Sequence, residues 1–390
     1  MGTRVLHVIP SLDERTGGPL RAVLDLSFLG QTYGLHSEIV GPGPIRMKDN
    51  PLDSALIHET ATPTLQSYAY SRDLRSWLEA NVNRFDGVVS HGMWLYPNWI
   101  TGKVCYRAGI PYACFPHGML DLWSVQEQGT WKRLKKTAYW HLREKLIYRR
   151  AQRLFFTTMR EMENARKTFA LGHDTLHLVP YGIKHAVEKV ERAEDERINQ
   201  LATGSYALFL SRVHPKKNVD LLLTAWGTAK RPAGWKLCIA GPVDDEYKDR
   251  LLGLVNHYGM GDSLLFLDHV SGVNKQFLFQ NAKWFMLPSS QENFGVAVLE
   301  AIGQRCPVVI SDQVYLSDYF PSSAEILPVS AAAWKLFIEE RMADEQHRQK
   351  VLADDQAYLR PRFDIDRVAA DWVKTMTDSF LCPSSGVSNA

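Results

Sequence analysis

An α/β protein made of two Rossmann-like halves in series is the fold class this sequence predicts, and three observations predict it. Short apolar runs alternate with longer stretches of helical period along almost the whole chain, the pattern of parallel strands joined by crossover helices. The alternation is interrupted by the charged stretch 184–205, KHAVEKVERAEDERINQLATGS, and then restarts. At 390 residues the chain is long for one domain, given a norm of about 150 residues per domain.

Seven runs of the first half read as strands: RVLHVIP, SEIVG, ALIHE, FDGVVSHG, IPYACFPHG, RLFFTT and TLHLVPYG. PLRAVLDLSFLGQTYG and SRDLRSWLEANVN carry apolar residues at helical spacing, whereas SEIVG and ALIHE are joined by an irregular, proline-rich loop. After the charged junction come YALFLS, a helix from Val219, WKLCIAG, a helix over 246–258, LLFLDHV, a helix over 273–281, KWFMLPS and PVVIS. These patterns predict a first domain over 1–183, a second over 184–362 and a final helix within 363–382, ahead of the Ser/Gly tail PSSGVSNA, where order is expected to be lost. In each half, ligands belong at the carboxyl ends of the strands.

Composition narrows the function. The chain is 45% hydrophobic and 23% charged, enough apolar material for a sizeable core. A formal charge of +2 gives no support to a nucleic-acid partner. Cys105, Cys114, Cys238, Cys306 and Cys382 are odd in number and widely spread without a C-x-x-C pair, so they read as small buried hydrophobes in a reducing compartment. No apolar run approaches the roughly 20 residues that span a bilayer, and the early start of RVLHVIP leaves no room for a secretory leader. A cytoplasmic protein, at most attached to a membrane surface, is the expectation.

Several loops could carry chemistry. VIPSLDERTGGPLRAV is a strand, a loop with Gly17 and Gly18, and a helix beginning near Pro19; glycines let backbone N–H groups approach an anion. The spacing is not G-x-G-x-x-G, and a plain strand-to-helix turn would read the same way. In LFLSRVHPKKNVDLLLTAW a strand ends at Ser211, and Arg212 and Lys217 follow before a helix that Asn218 could cap. Arginine as a planar fork and lysine as a point charge suit a diphosphate; a solvated basic loop is the plainer reading.

SSQENFGVAVLEA, residues 289–301, follows the strand KWFMLP. Glu292 and Glu300 would lie roughly 80° apart on one helix, so they are not a stacked helical pair. With the helix beginning near Gly295 or Val296, Glu292 sits on the loop and Glu300 more than one turn into the helix. The N–H groups of Asn293, Phe294 and Gly295 then point at whatever occupies the gap. Ionised carboxylates accept from vicinal hydroxyls, so the pair suits a polyhydroxylated ligand. A first-turn glutamate favoured by the helix dipole would account for one acid near the helix start, but not for Glu300 among Ala297, Val298, Leu299 and Ala301.

Here the motifs amount to a resemblance. E-x7-E at Glu292–Glu300, R-x4-K at Arg212–Lys217, the Gly17-Gly18 loop, VPYGI at the junction and GQRCPVVISD after the motif stand in the order of the GT-B glycosyltransferases of glycosyltransferase family 4. Each motif alone is weak; the five in order are specific and span nearly the whole chain. The resemblance implies a GT-B fold, two Rossmann-like domains facing across a cleft with the last helix, VAADWVKTMTDSF, packed back on the first. It implies a retaining transfer from a nucleotide-diphosphate sugar as co-substrate, without metal or other cofactor. Arg212 and Lys217 would bind the diphosphate, Glu300 the ribose hydroxyls, and Glu292 with the amides after it the sugar. The backbone near Val270 would read the base, and His117 in CFPHGMLD would lie near the reacting carbon. His91 and Trp94 in SHGMWLYPNW would offer an acceptor surface for a glycan or lipid-linked acceptor, within cell-surface polysaccharide or glycoconjugate synthesis.

Two departures stand out. The family's P-N-G-[IV]-D has Tyr181 and Lys184 here in place of Asn and Asp, which bears on the hinge and on a cleft hydrogen bond rather than on the donor site. FDID at 363–366 contains D-x-D, the metal motif of the other major glycosyltransferase fold, but it opens the last helix and reads as a helix start. Residues 131–153, WKRLKKTAYWHLREKLIYRRAQR, interleave Lys and Arg with Trp, Tyr and Leu around the single acid Glu144, a composition that suits an anionic membrane surface or a solvated helix face. The rival readings are a nucleotide-sugar epimerase on the same scaffold and a catalytically silent nucleotide- or glycan-binding scaffold.

Overall fold

A computed structural model of the chain describes residues 2–14, 18–47, 50–121, 130–172, 175–184 and 188–381, with backbone alone for 18 and 130–133. It divides into two compact units, residues 1–182 with 365–390, and residues 183–364. The charged stretch read as the junction therefore lies inside the second unit.

The first unit holds a seven-stranded sheet: β1 Thr3–Val8, β2 Leu35–Pro42, β3 Ile57–Thr60, β4 Gly87–His91, β5 Tyr112–Phe115, β6 Arg153–Phe156 and β7 Leu176–Leu178. The order is β3-β2-β1-β4-β5-β6-β7, parallel throughout. Every residue of β4 and β5 is buried, as befits parallel strands covered on both faces. Local signals fix the crossovers: the Ser71 hydroxyl accepts from Leu74 N to start Arg72–Asn81, and Thr158 accepts from Glu161 N to start Met159–Phe169. Helix Tyr96–Ala108 stops at Gly109 in the left-handed conformation.

Helix Ile365–Phe380 belongs to this unit and packs on helix Gly18–Thr32 and on β1. Its buried residues Val368, Trp372, Met376 and Phe380 recur every four positions and form one apolar stripe. Phe380 lies so close over Gly87 that a Cβ there would come within 2.2 Å of its ring. Burying Trp372 and Phe380 contributes about 1.5–3 kcal/mol each.

The second unit carries β8 Tyr206–Leu210, β9 Lys236–Ala240, β10 Leu264–Leu267, β11 Trp284–Leu287, β12 Val308–Ser311 and β13 Glu325–Leu327. Their order is β10-β9-β8-β11-β12-β13, again all parallel. The sequence reading ended at β12; the three-residue β13 is too short to show a period. Helix Glu345–Phe363 was hidden for another reason. Its buried positions Arg348, Val351, Asp355, Leu359 and Phe363 keep helical spacing, but two are charged, so no apolar stripe appears in the sequence.

The basic segment is not one helix. Thr130–Tyr139 and Lys145–Arg150 are α-helical, and Trp140–Glu144 between them is a π-helical turn. Leu134, Leu142 and Leu146 are exposed, Leu142 at 79%, whereas Trp140, Glu144, Ile147 and Tyr148 are buried. Among the described residues no helix is long and apolar enough to cross a membrane. Cys105, Cys114, Cys238 and Cys306 are free and buried, and Cys382 lies outside the described residues.

Candidate active site

In an open α/β sheet the ligand crevice lies where neighbouring strands send their crossovers to opposite faces. In the second unit that point falls between β8 and β11. The loop after β8 carries Arg212 and Lys217, and the loop after β11 carries Glu292, so topology alone brings the three together. Hydrogen bonds tie the two loops: Ser290 N and Oγ donate to Lys216 O at 2.9 and 3.0 Å, and Asn218 Nδ2 donates to Pro288 O at 2.9 Å. Asn218 stands at the N-cap of helix Val219–Thr228, but its side chain serves this cross-loop bond instead of capping the helix.

Lys217 Nζ is in ion-pair contact with a Glu292 carboxylate oxygen, with both side chains largely buried. Burial, with Lys216 and Arg212 alongside, lowers the Lys217 pKa. Arg212 is exposed, and among the described residues its guanidinium has no hydrogen bond or ion pair. Gly241 lets the β9 loop reach the loop bearing Arg212: a Cβ there would stand 1.9 Å from Ser211 O, at φ +143°.

Helix Val296–Gly303 begins after Gly295, whose φ of +76° is a left-handed conformation that favours glycine. Glu292 lies on the loop, held by Glu292 N to Gln313 O at 3.0 Å and by Tyr315 N to Glu292 O at 2.9 Å. Phe294 is buried against Phe363 at 5.8 Å between ring centres, fixing the loop between Asn293 and Gly295. Glu300, on the helix, is bound by Lys275 from helix Gly272–Asn281 at 2.7 Å. Val270 lies in the loop leading from β10 to that helix. Arg212 and Lys216 stand near Lys217, so cations gather around the Glu292 carboxylate, a grouping suited to a diphosphate. Ser289 Oγ and Gln291 Oε1 in the same loop are buried without a hydrogen-bond partner, which suits a ligand or water that supplies one.

In the first unit the corresponding point falls between β1 and β4. Gly17 lies outside the described residues; Gly18 is the first residue of helix Gly18–Thr32. His91 ends β4, and His117 follows β5 at φ +50°. His117 Nε2 lies 2.9 Å from His91 Nδ1, and its Nδ1 lies 2.6 Å from the Tyr181 hydroxyl. His91 Nε2 lies 3.0 Å from His7 Nδ1. Both His117 nitrogens are thus hydrogen-bonded within the unit. Burial lowers the pKa of His7 and of His117 to about 3; burial, then His117 and His7, puts His91 well below 6.5, so all three are neutral.

Trp94 also has a left-handed backbone, φ +67°, held by Trp94 N donating to Glu144 Oε1 at 3.2 Å and indole Nε1 to Met119 O at 3.1 Å. Burial pushes the Glu144 carboxyl up to about 8, against a smaller lowering by the Trp94 bond. Non-glycine residues in this conformation gather at functional sites, and Trp94 and His117 both lie in the loops that follow β4 and β5.

Asp364 and Asp366 of the D-x-D flank the start of helix Ile365–Phe380. Among the described residues no three of His, Cys, Asp and Glu converge on a metal-sized site. The sequence reading missed Lys275, His7, Tyr181 as a partner of His117, and Glu144 beneath Trp94. Of these, Tyr181 left a signal as a departure from a motif, and Glu144 as the single acid of a basic segment.

Residues 191–351 match the family model of glycosyl transferases group 1, and residues 17–182 that of the glycosyl transferase 4-like domain. An uncharacterized glycosyltransferase of Methanocaldococcus jannaschii is 24% identical over 169 residues, 43% of each chain. Mannosylfructose-phosphate synthase of Agrobacterium fabrum is 24% identical over 220 residues, covering 52% of this chain and 48% of the synthase. These matches span less than half the length of either relative. The crystal structure of Anabaena HepE in complex with UDP and glucose superposes with a TM-score of 0.75 at 14% identity, covering 96% of this chain and all of that one.

Proposed function

We propose that this chain, a GT-B-fold protein resembling the group 1 and 4-like glycosyltransferases, moves a sugar from a nucleotide-diphosphate sugar to a hydroxyl of a glycan or lipid-linked acceptor, with retention. The observation that carries the reading is the contact of Lys217 with Glu292 at the β8/β11 switch point. It sets a cation for a diphosphate beside a carboxylate for sugar hydroxyls, a pairing suited to a ligand that is anionic at one end and polyhydroxylated at the other.

In this reading the donor displaces both resident ion pairs. Arg212 and Lys217 take the diphosphate, Glu292 with the amides of Asn293, Phe294 and Gly295 the sugar, and Glu300 the ribose diol, with the base at Val270. Breaking the bond between the anomeric carbon and the phosphate oxygen leaves an oxocarbenium-like sugar and puts charge on the diphosphate, which the two cations stabilise. The departing phosphate oxygen takes the proton of the incoming hydroxyl as that oxygen bonds the same face of the sugar. No metal or further cofactor enters these steps. In the first unit His117 would lie near the reacting carbon, with His91 and Trp94 on the acceptor side.

The exposed Leu134, Leu142 and Leu146 alternate with Lys135, Arg143, Lys145 and Arg149, a surface suited to anionic lipid and hence to a lipid-linked acceptor at the cytoplasmic face of a membrane. A cell-surface polysaccharide or glycoconjugate fits such a product.

The test measures nucleotide release from a panel of donors with and without lipid-linked or oligosaccharide acceptors. Acceptor-dependent release with an α-linked product from an α-linked donor is expected. Release from donor alone at the full rate would give the epimerase reading instead.

A further inference from the structure

Three imidazoles and one phenol form a continuous hydrogen-bonded row across the carboxyl ends of β1, β4 and β5: His7, His91, His117 and Tyr181, at 3.0, 2.9 and 2.6 Å. A neutral imidazole has one N–H and one lone pair, so three neutral rings in series must all point the same way. Two polarities are available. In one, each ring carries its proton on Nδ1, and His117 donates to the Tyr181 oxygen. In the other, the Tyr181 hydroxyl donates to His117, each ring carries its proton on Nε2, and the row ends on a His7 Nε2–H.

The end of the row decides between them. His7 Nε2 is buried with no hydrogen-bond partner, and so is Trp372 Nε1 on the ring stacked against it at 5.6 Å between centres. Trp372 Nε1 is a donor in every state. The second polarity would leave two orphan N–H donors in the core, one on each of the stacked rings. The first leaves one orphan donor and one bare lone pair, and orphaned donors are the rarer and costlier kind.

We infer that His7 and His91 are positioning residues: through one directed row of hydrogen bonds they fix His117 as the Nδ1–H tautomer, donating to Tyr181, and hold its turn at the end of β5. The left-handed backbone of His117 needs such external support. Its ring also stacks on Phe115 at 4.1 Å and packs against His91 at 5.1 Å. The catalytic consequence rests on the transferase reading given above; the tautomer does not.

The test is long-range 1H–15N correlation on the full chain labelled with 15N-histidine, which shows the protonated nitrogen of each ring. His7, His91 and His117 are each expected as Nδ1–H; an Nε2–H at any of them overturns the inference. His7→Phe removes the first donor, whereas His7→Asn keeps an N–H in the place of Nδ1. The phenylalanine variant is expected to mix the His117 tautomers and lower kcat for transfer roughly tenfold with donor KM unchanged, a loss of the size that slight misplacement causes, and the asparagine variant to restore both. Wild-type behaviour of His7→Phe in both readouts would refute a positioning role. If that variant does not fold, the wild-type tautomers decide alone. If the wild type transfers no sugar, the tautomers still stand or fall by themselves while the transferase reading fails.

Discussion

Glu144 gives the most quantitative handle on the first unit. It is fully buried in the π-helical turn, one oxygen accepts from Trp94 N, and the other has no partner. Burial raises its pKa from 4.5 to about 8, so at neutral pH the folded unit binds a proton that the unfolded chain has lost. A raised folded pKa means that stability is fully present below pH 4.5 and is lost as pH rises towards 8. Glu144→Gln keeps the Oε1 acceptor and removes the titration. With these values, wild type gains about 2 kcal/mol relative to the variant between pH 7 and pH 5.5. Packing or an unmatched amide proton shifts the variant's stability equally at both pH values and leaves this difference untouched. In a unit of about 200 residues, 2 kcal/mol corresponds to roughly 4–8 °C in Tm. Calorimetric unfolding of both proteins at the two pH values reads it directly. A Tm gap between them that does not change with pH would refute the buried, protonated Glu144.

The other predictions follow from the same ledger of buried charge. His7, neutral with a folded pKa near 3 against 6.5 unfolded, acts in the opposite sense: stability falls as pH drops below 6.5. His7→Asn should therefore lose about 1.3 kcal/mol less than wild type between pH 7 and pH 5.5 in the same calorimetry. Asp355 in the second unit is buried, both its oxygens lack partners, and burial raises its pKa to about 8. Between pH 5.5 and 8 it should remove about 3 kcal/mol of stability that Asp355→Asn retains, a loss visible in urea midpoints. Lys217→Ala should lower kcat by about 100-fold or more, with donor Kd by titration calorimetry changing much less. Equal losses in both would mean that Lys217 serves ground-state binding only.

What the sequence revealed and what it hid divide along physical lines. The strands of both sheets except the short β13 were legible because parallel strands covered on both faces are continuous apolar runs, as in WFML of β11. The Glu292–Glu300 pair was legible because charge inside an apolar stretch has no packing explanation. The ion pairs were not. Lys217 meets Glu292 and Lys275 meets Glu300 only because the order β8-β11 and the helix Gly272–Asn281 bring distant segments together. His7 sits in RVLHVIP as one polar residue in a strand, and nothing local tells that two further strand ends supply its partners. Glu144 read as a lone acid on a basic helix because a π-helical turn, which leaves no periodic trace, rotates it inward. Helix Glu345–Phe363 stayed hidden because Arg348 and Asp355 occupy its buried stripe.

In the proposed function the β8/β11 site takes a nucleotide-diphosphate sugar through Arg212, Lys217, Glu292 and Glu300. A thermal-shift screen of nucleoside diphosphates and their sugars, on wild type and on Arg212→Ala/Lys217→Ala, tests it most directly. At 100 times Kd a ligand of the native state adds about 2.7 kcal/mol, or some 5–10 °C for a unit of this size. A rise of that order is expected with at least one base, and no rise in the double variant. No rise with any base, or an undiminished rise in the double variant, would contradict it.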